Sequence, residues 1–553
     1  MRSIFVIVIA SLMFLMNCKG KAQENVSEVS PERPFVWEGA NLYFLLTDRF
    51  NNGDASNDVN FNRTKETGIL RGFEGGDLKG ITQKIKEGYF TDLGINAIWM
   101  TPVVEQIHDG TDEGTGFSYG FHGYWTSDWT NIDPNFGTKE DLKELVATAH
   151  ENGIRILLDA VINHTGPVTE IDTVWPEEWV RTSPKCEFQN YETTVTCTLV
   201  ANLPDIRTES NDAVDLPPQL VKKWKDEGRF DQEVAELDEF FERTGHPRAP
   251  RFYIMKWLSD YISEYGIDGY RVDTVKHTEE YVWQEFKKEC DYQFAQWKAN
   301  NPEKVLDDNE FYLVGEVYNY GISNGQMFDI GDRKVNYFED SFHSLINFEL
   351  KYDANNGYEE VFTKYSDLLQ NEMKNHGTLN YLSSHDDGNP FDPSREKPFE
   401  TANRLLLTPG TSQVYYGDEV ARPLLIEGTQ GDATLRSTMN WTDIESNEQT
   451  KAILEHWQKL GRFRAKHPAV GAGLHKRMSK APYVFSRSYS SNDFEDVVVI
   501  GIDLPKGNKS IDVSDVFLDG DIVHDAYSSQ DVEVIDGKLN FSSEYEISLF
   551  GKN

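Results

Sequence analysis

Residues 153–164, with the sequence GIRILLDAVINH, decide the fold. After the opening glycine comes an apolar run, which ends among an acid, an asparagine and a histidine. This order is typical of a buried parallel strand whose carboxyl end carries functional side chains. Three further segments place acids where a strand should end, at residues 269–273 (GYRVD), 315–317 (GEV) and 383–386 (SSHD). We expect these four strand ends to meet at one mouth of a barrel.

Strand-like and helical segments alternate around these four motifs. The predicted strands cover residues 42–46, 95–100, 154–161, 267–272, 311–314, 379–383 and 412–416, and the predicted helices cover residues 81–93, 139–151, 251–265 and 279–299. This alternation predicts parallel strands with crossover helices, and eight such units close a barrel. Residues 337–350 form the least clear unit. The predicted fold class is α/β, a (β/α)8 TIM barrel.

Two segments depart from the alternation. Between His164 and Arg251 lie about 85 residues with little clean periodicity, and a loop of that length is usually functional or a small domain. After Ala469 the pattern contains only strands, which predicts an antiparallel β-sandwich domain. We therefore expect an inserted domain after the third strand. The predicted boundaries are a signal peptide at 1–18, a flexible tether at 19–35, the barrel at 36–164 and 251–468, the inserted domain at 165–250 and the C-terminal β-sandwich at 469–553.

Composition limits the classes of function. The chain has 553 residues, with 54 Lys and Arg against 92 Asp and Glu, and a formal net charge of −38. A charge of this sign repels nucleic acid and argues against binding it. The hydrophobic content of 39% is typical of globular protein. A chain of this length predicts two or three domains.

The N-terminal residues read as a targeting segment. Arg2 precedes an apolar run at residues 4–16, which is typical of a secretory signal and short for a membrane span. The run ends at Asn17-Cys18, which resembles a bacterial lipoprotein signal. We expect export and a membrane anchor through lipid on Cys18, with a plain signal peptide as the alternative. The polar residues that follow predict a tether.

Three other cysteines have separate interpretations. Cys186 and Cys197 lie in a polar, Thr-rich segment and could close a short hairpin as a disulfide. Export favours this pairing, whereas their spacing alone leaves it open. Cys290 lies on a predicted helix and is expected to be a buried free thiol.

The acids in the motifs suit one kind of chemistry. Cleaving a glycosidic bond requires an acid that protonates the leaving oxygen and a carboxylate that faces the oxocarbenium-like carbon. Asp273, Glu316 and Asp386 supply three carboxyl groups at the expected barrel mouth. When two such groups lie about 5–5.5 Å apart, the carboxylate attacks and configuration is retained.

The four motifs, in this order, resemble the conserved regions of the α-amylase family, glycoside hydrolase family 13. The likeness runs over nearly the whole mature chain and includes TDRF at 47–50 and GFHGYW at 120–125. It implies that Asp273 is the nucleophile, Glu316 the general acid/base and Asp386 a third acid that holds the distorted sugar. In this family the position of Asp159 has a supporting role.

The resemblance also implies substrate contacts. The implied residues are His122, Tyr124, His164, Arg271, Lys276, His277 and His385. Tyr124 would stack beneath the sugar at the cleavage point, and Lys276 would lie on the leaving-group side. Arg271 lies two residues before Asp273 on the same strand face, where a fixed cation would keep that carboxylate ionised.

Two calcium sites follow from the same resemblance. The first would use Asn52, Asp54, Asn57, Asp58, Gly75 and Asp77, and the second Asn163, Asp205 and the backbone of His277. Clustered Asp and Asn oxygens with backbone carbonyls suit this hard cation. The alternative for the first set is an Asx-rich solvent turn. The second set would tie the inserted domain to the barrel.

The implied activity is retaining, endo-type hydrolysis of α-1,4-glucosidic bonds in starch-like or glycogen-like glucans by a monomer. A transglycosylase that resembles cyclodextrin glucanotransferases and a hydrolase that resembles cyclomaltodextrinases or neopullulanases are alternatives. A non-catalytic glucan-binding lipoprotein is disfavoured, since all three acids are present. Ser384 replaces an Asn found in many relatives, and Asp387 adds a second acid. The sequence explains neither departure.

Overall fold

The computed structural model of the chain describes residues 33–552, except positions 113 and 493. Every element below belongs to one compact unit that begins at Pro34. The predicted signal peptide, Cys18 and residues 19–32 of the predicted tether lie outside the described residues.

Eight parallel strands close a barrel in chain order. They are β1 (Asn41–Leu45), β2 (Ala97–Met100), β3 (Arg155–Ala160), β4 (Gly269–Val272), β5 (Tyr312–Gly315), β6 (Ser344–Asn347), β7 (Gly377–Asn380) and β8 (Thr411–Tyr415). The ring closes where β1 pairs with β8 and Asn41 lies opposite Ser412. Every residue of these strands is buried. The predicted TIM barrel is confirmed. Residues 337–350, the unit that was least clear in the sequence, contain β6.

Seven helices of nine or more residues accompany the barrel strands. They are α1 (Leu78–Lys86), α2 (Lys139–Glu151), α3 (Pro250–Tyr265), α4 (Glu280–Asn300), α5 (Tyr358–Gln370), α6 (Pro398–Leu406) and α7 (Glu448–Lys466). The helix predicted at residues 81–93 is instead two helices, α1 and Tyr89–Asp92, because Gly88 between them adopts a left-handed φ of +82°. Helix α2 begins at a capping box formed by Thr138 and Asp141.

Short elements complete the loops. The short helices are Thr47–Phe50, Glu192–Val195, Leu350–Asp353, Trp441–Ser446 and Ala469–Ala472. The 3-10 turns are Trp37–Gly39, Ala55–Asn57, Val275–His277, Pro302–Lys304, Ile322–Asn324, Asp418–Val420 and Gly431–Arg436. The short strands are Val104–Gln106, Thr111–Asp112, Phe117–Ser118, Thr126–Ile132, Phe328–Asp329 and Lys334–Val335. In the part of the chain that the structure describes, no helix has the length and apolar composition needed to cross a membrane.

The segment between β3 and β4 is more regular than its sequence suggested. It contains a two-stranded ribbon, Val180–Arg181 with Asp205–Ile206, and two longer helices, Pro218–Asp226 and Phe230–Thr244. The second helix buries Leu237, Phe240 and Phe241 at helical spacing, a pattern that the prediction overlooked. In the same segment Cys186 and Cys197 form a disulfide, with their Cα atoms 5.0 Å apart. Cys290 is a buried free thiol, as expected.

The C-terminal strands form an antiparallel sheet of eight. They are β9 (Leu474–Lys480), β10 (Tyr483–Ser491), β11 (Phe494–Ile502), β12 (Gly507–Asp512), β13 (Ile522–Asp525), β14 (Gln530–Ile535), β15 (Lys538–Ser543) and β16 (Ile547–Gly551). Their order in the sheet is β9-β10-β11-β16-β13-β14-β15-β12. One hydrophobic cluster joins Val484 of β10 to Ile511 of β12, at opposite ends of that order. The sheet therefore folds over on itself around its own core, as a β-sandwich does.

Candidate active site

The carboxyl ends of four barrel strands meet at one mouth, as the motifs predicted. Asp273 follows β4 directly, Glu316 follows β5 directly, and Asp386 lies in the loop after β7. All three carboxyl groups line one cavity of about 590 Å³. Asp159 lies within β3 and does not line this cavity.

A single buried guanidinium joins the acids from three strands. Arg271 is 1% exposed, and its Nη1 lies 2.7 Å from Oδ1 of Asp273 and 3.0 Å from Oδ1 of Asp159. Its Nη2 lies 2.9 Å from Oε1 of Glu316. A planar fork that contacts two carboxylates at once fixes their separation and orientation. Asp273 and Glu316 are therefore held close together at the floor of the cavity.

The environment of Glu316 disfavours its charged form. Burial raises the pKa of Glu316 well above its usual range, the charges of Asp273 and Asp386 act in the same direction, and Arg271 opposes them. This direction favours the protonated form of Glu316, which is the form that a general acid needs. The backbone N–H of Thr274 donates to Oε2 of Glu316 over 3.0 Å.

Asp159 is enclosed by hydrogen-bond donors. Its Oδ2 accepts from Nε1 of Trp99 over 3.1 Å and from the hydroxyl of Tyr124 over 2.9 Å. With Arg271 on its other side, this carboxylate has no free direction toward the cavity. The geometry thus places Asp159 where it positions Arg271 and Tyr124.

The aromatic and histidine side chains predicted to contact substrate surround the three acids. Tyr124, His164, His277 and His385 line the cavity, whereas His122 lies behind Tyr124 and accepts its backbone N–H over 3.1 Å. Burial lowers the pKa of all four histidines, that of His277 to about 4. Neutral imidazoles both donate and accept hydrogen bonds, which suits sugar hydroxyls.

The cavity is also lined by residues that the sequence did not single out. Lys276 lines it as predicted, and its Nζ lies 5.3 Å from the ring centre of Tyr318. Phe188, on the disulfide-closed loop, is 52% exposed and meets His277 edge-on at 5.7 Å. Arg436 also lines the cavity and donates to the carbonyl of His385 over 2.9 Å. Only Tyr318 had a sequence signal, its position two residues after Glu316.

The two departures in the motif that contains Asp386 make different contacts. The hydroxyl of Ser384 lies 3.3 Å from Nδ1 of His385. The carboxylate of Asp387 is buried, pairs with Nζ of Lys351 and accepts from the hydroxyl of Tyr381 over 2.5 Å. Asp387 is therefore turned away from the cavity and anchors the loop that carries Asp386.

The first predicted calcium set lies together in the loop before α1. Asp77 caps α1 by accepting the N–H of Gly80 over 2.6 Å, and Nδ2 of Asn52 donates to Asp58 over 2.8 Å. A Cβ atom on Gly75 would lie 2.5 Å from Nδ2 of Asn52, so the loop closes tightly there. The carboxylate of Asp54 instead binds Nζ of Lys79 over 2.6 Å, but Oδ1 of Asn57 is buried without a hydrogen-bond donor.

The second predicted set lies where the inserted segment meets the barrel. The N–H of Ile206 donates to the carbonyl of Asn163, beside Asp205. Oδ2 of Asp205 lies 3.2 Å from Nε of Arg181, but its Oδ1 is buried without a partner. Each set combines Asp carboxylates with Asn oxygens and backbone carbonyls. Within residues 33–552, positions 113 and 493 apart, no three His, Cys, Asp or Glu side chains are grouped to hold a metal.

Comparisons with known proteins agree with this geometry. The profile described as "Alpha amylase, catalytic domain" matches residues 44–462. A periplasmic α-amylase of Escherichia coli is 34% identical over 84% of this chain and 73% of its own length. A cyclomaltodextrin glucanotransferase of Thermoanaerobacterium thermosulfurigenes is 25% identical over 82% of this chain, which spans 58% of that protein. An Anoxybacillus α-amylase structure, 23% identical, superposes with a TM-score of 0.63 over 94% of this chain and 99% of that one.

Proposed function

The chain belongs to the α-amylase family of glycoside hydrolases, and we propose that it cleaves α-1,4-glucosidic bonds within starch-like or glycogen-like glucans, with retention of configuration. The observation that carries this proposal is Arg271, bonded to both Asp273 and Glu316 beside a cavity that also contains Asp386. Carboxyl groups held this close suit a retaining mechanism, since an inverting pair leaves room for a water molecule. A glucan substrate is supported by the relatives, which are named as an α-amylase and a cyclomaltodextrin glucanotransferase.

In the first step Glu316 gives its proton to the glycosidic oxygen while Asp273 attacks the anomeric carbon. The bond to the leaving sugar breaks, and a covalent glycosyl–Asp273 intermediate forms. Glu316, now a carboxylate, then takes a proton from water, and this water releases the sugar with its original configuration. Arg271 stays bonded to both groups and holds them in place.

Asp386 and the rings around the cavity position the sugar. The ring of Tyr124 offers an apolar platform, and the neutral His164 and His385 offer hydrogen bonds to hydroxyl groups. Asp386 is 31% exposed at its side chain and reaches the cavity beside Glu316. These contacts favour the distorted sugar that the transition state requires.

Transfer of the glycosyl group to a second sugar is the reaction that competes with hydrolysis. It is tested because one relative is named as a glucanotransferase. Both reactions share the covalent intermediate, so only the acceptor differs. Timed product profiles on amylose, pullulan and a cyclodextrin separate them. We expect linear maltooligosaccharides from amylose that shorten with time. Cyclic or lengthened products as the main early species would overturn the assignment as a hydrolase.

We also propose that calcium binds both predicted sites. The residues fit, because each set keeps one buried oxygen without a donor, Oδ1 of Asn57 in the first and Oδ1 of Asp205 in the second. A hard cation satisfies such oxygens. The first ion would be held by Asn52, Asn57, Asp58, Gly75 and Asp77, together with Asp54 once it is released from Lys79. The second ion would be held by Asn163, Asp205 and the backbone of His277. At that place the ion would fasten the inserted segment to the barrel.

Export with a lipid anchor at Cys18 completes the proposal. The periplasmic name of the Escherichia coli relative supports export, and the Asn17-Cys18 pattern supports the anchor. Labelling of producing cells with a tagged fatty acid should mark the native protein but not Cys18→Ala. Label that persists in Cys18→Ala, or its absence from the native protein, would contradict the anchor.

A further inference from the structure

A second, separate cavity lies between the last barrel helix and the C-terminal sheet. Its volume is about 280 Å³, and it lies away from the active-site acids. The basic side chains in its wall are Lys459, Arg462, Lys466, His467 and His524. None of the described residues that line it is Asp or Glu. This composition is unusual in a chain where 92 acids outnumber 54 Lys and Arg residues.

The two histidines come from different parts of the fold and are brought together at Gly551. His467 follows α7, whereas His524 lies on β13 directly opposite Gly551 of β16. A Cβ atom on Gly551 would lie 2.5 Å from Nε2 of His467, so the glycine leaves room for that ring. Side chains of opposite residues point to the same face of a sheet. His524 therefore projects toward the side on which His467 lies.

Each imidazole is oriented by a carboxylate behind it. Nδ1 of His467 lies 2.8 Å from Asp496, and Nδ1 of His524 lies 2.7 Å from Asp531. A ring whose Nδ1 donates to a carboxylate can donate from Nε2 only as an imidazolium cation. In that form each ring carries a second N–H donor, at Nε2.

Lys459 and Arg462 keep donors for a ligand as well. Nζ of Lys459 pairs with Glu455 over 2.8 Å, and Nη1 of Arg462 donates to the carbonyl of Asp92 over 2.9 Å. An ammonium has three donors and a guanidinium five, so these contacts leave some of them unused. Basic residues at the end of α7 would also stabilise its dipole. That explanation does not cover His524, which comes from the C-terminal domain.

We propose that this cavity binds a small oxyanion of the phosphate class. The inference is independent of glucan hydrolysis, since no catalytic residue lines the cavity. A dianion here would contact groups from α7 and from β13 at once, and would strengthen the contact between barrel and C-terminal sheet. Such a ligand stabilises the folded protein in proportion to its occupancy.

Inorganic phosphate is the probe, titrated into the full-length protein at about pH 6, where histidine is partly protonated. Calorimetry should show saturable binding, and the melting temperature should rise with phosphate. Arg462→Gln and His524→Gln should each raise Kd about tenfold or more. Lys451→Gln is the matched control, since Lys451 lies on α7 but pairs with Glu448 outside the cavity.

Each outcome decides the proposal. Sulfate should compete with phosphate, whereas chloride at equal ionic strength should not. Glucan hydrolysis by Arg462→Gln should match that of the native protein, which separates this site from catalysis. No saturable binding of phosphate, or equal loss of binding in Lys451→Gln and Arg462→Gln, would overturn the proposal.

Discussion

Glu316→Gln is expected to lower the rate of glucan hydrolysis by about 10²–10⁴-fold, the range that an acid–base group supplies, and Asp273→Asn by up to about 10⁶-fold, since it removes the nucleophile. Both substitutions preserve side-chain shape, and both leave an oxygen for the guanidinium of Arg271. The melting temperature should therefore change little. The measurement is kcat/KM on amylose beside a thermal melt of each variant.

A substrate with a good leaving group should distinguish the two roles. An activated aryl glycoside needs little help from a proton donor, so Glu316→Gln should still form the covalent intermediate on it and then stall. Asp273→Asn should remain inactive, because the nucleophile is absent. Asp515→Asn and Glu448→Gln are matched controls, since their side chains are 76% and 87% exposed. Substantial residual activity of either active-site variant on amylose would refute its assigned role.

Chelation of calcium is expected to lower the melting temperature markedly. A ligand present at 100 times its Kd stabilises the folded state by about 2.7 kcal/mol, and two sites would add to one another. Thermal melts in excess calcium and in excess chelator measure the difference. Asp205→Asn should remove part of the chelator effect, because it removes the charged ligand of one proposed site.

A matched control separates loss of an ion from general weakening. Asp496→Asn removes a buried carboxylate of β11 that binds His467 and belongs to neither proposed calcium set. This variant should keep the full chelator effect even if its melting temperature falls. Identical melts of the native protein with and without chelator would contradict both sites.

The fold was readable where buried strands are continuous apolar runs. β1, β3 and β5 contain such runs, and each lies within a residue of its predicted place. β6 was obscure because only Leu345 and Ile346 of its four residues are apolar. In the C-terminal sheet, β12 is hard to recognise because Lys509 and Ile511 are its only buried side chains. Such a strand carries too little apolar signal to be recognised alone.

The active site could also be predicted only in part from the sequence. Asp273, Glu316 and Asp386 each adjoin a recognisable motif, and the structure brings them to one cavity. Arg436 and Phe188 adjoin no recognisable motif. Tertiary packing brings Arg436 to the cavity, and a disulfide-closed loop brings Phe188. Contacts made by distant loops leave no local pattern in a sequence.

The configuration of the first product tests the retaining mechanism most directly. Proton NMR during the first minutes of amylose or maltooligosaccharide cleavage reports the anomer before mutarotation mixes the two forms. Attack by Asp273 followed by water aided by Glu316 predicts the α-anomer as the first product. The β-anomer would mean direct attack by water, and would contradict the assignment of Asp273 as the nucleophile.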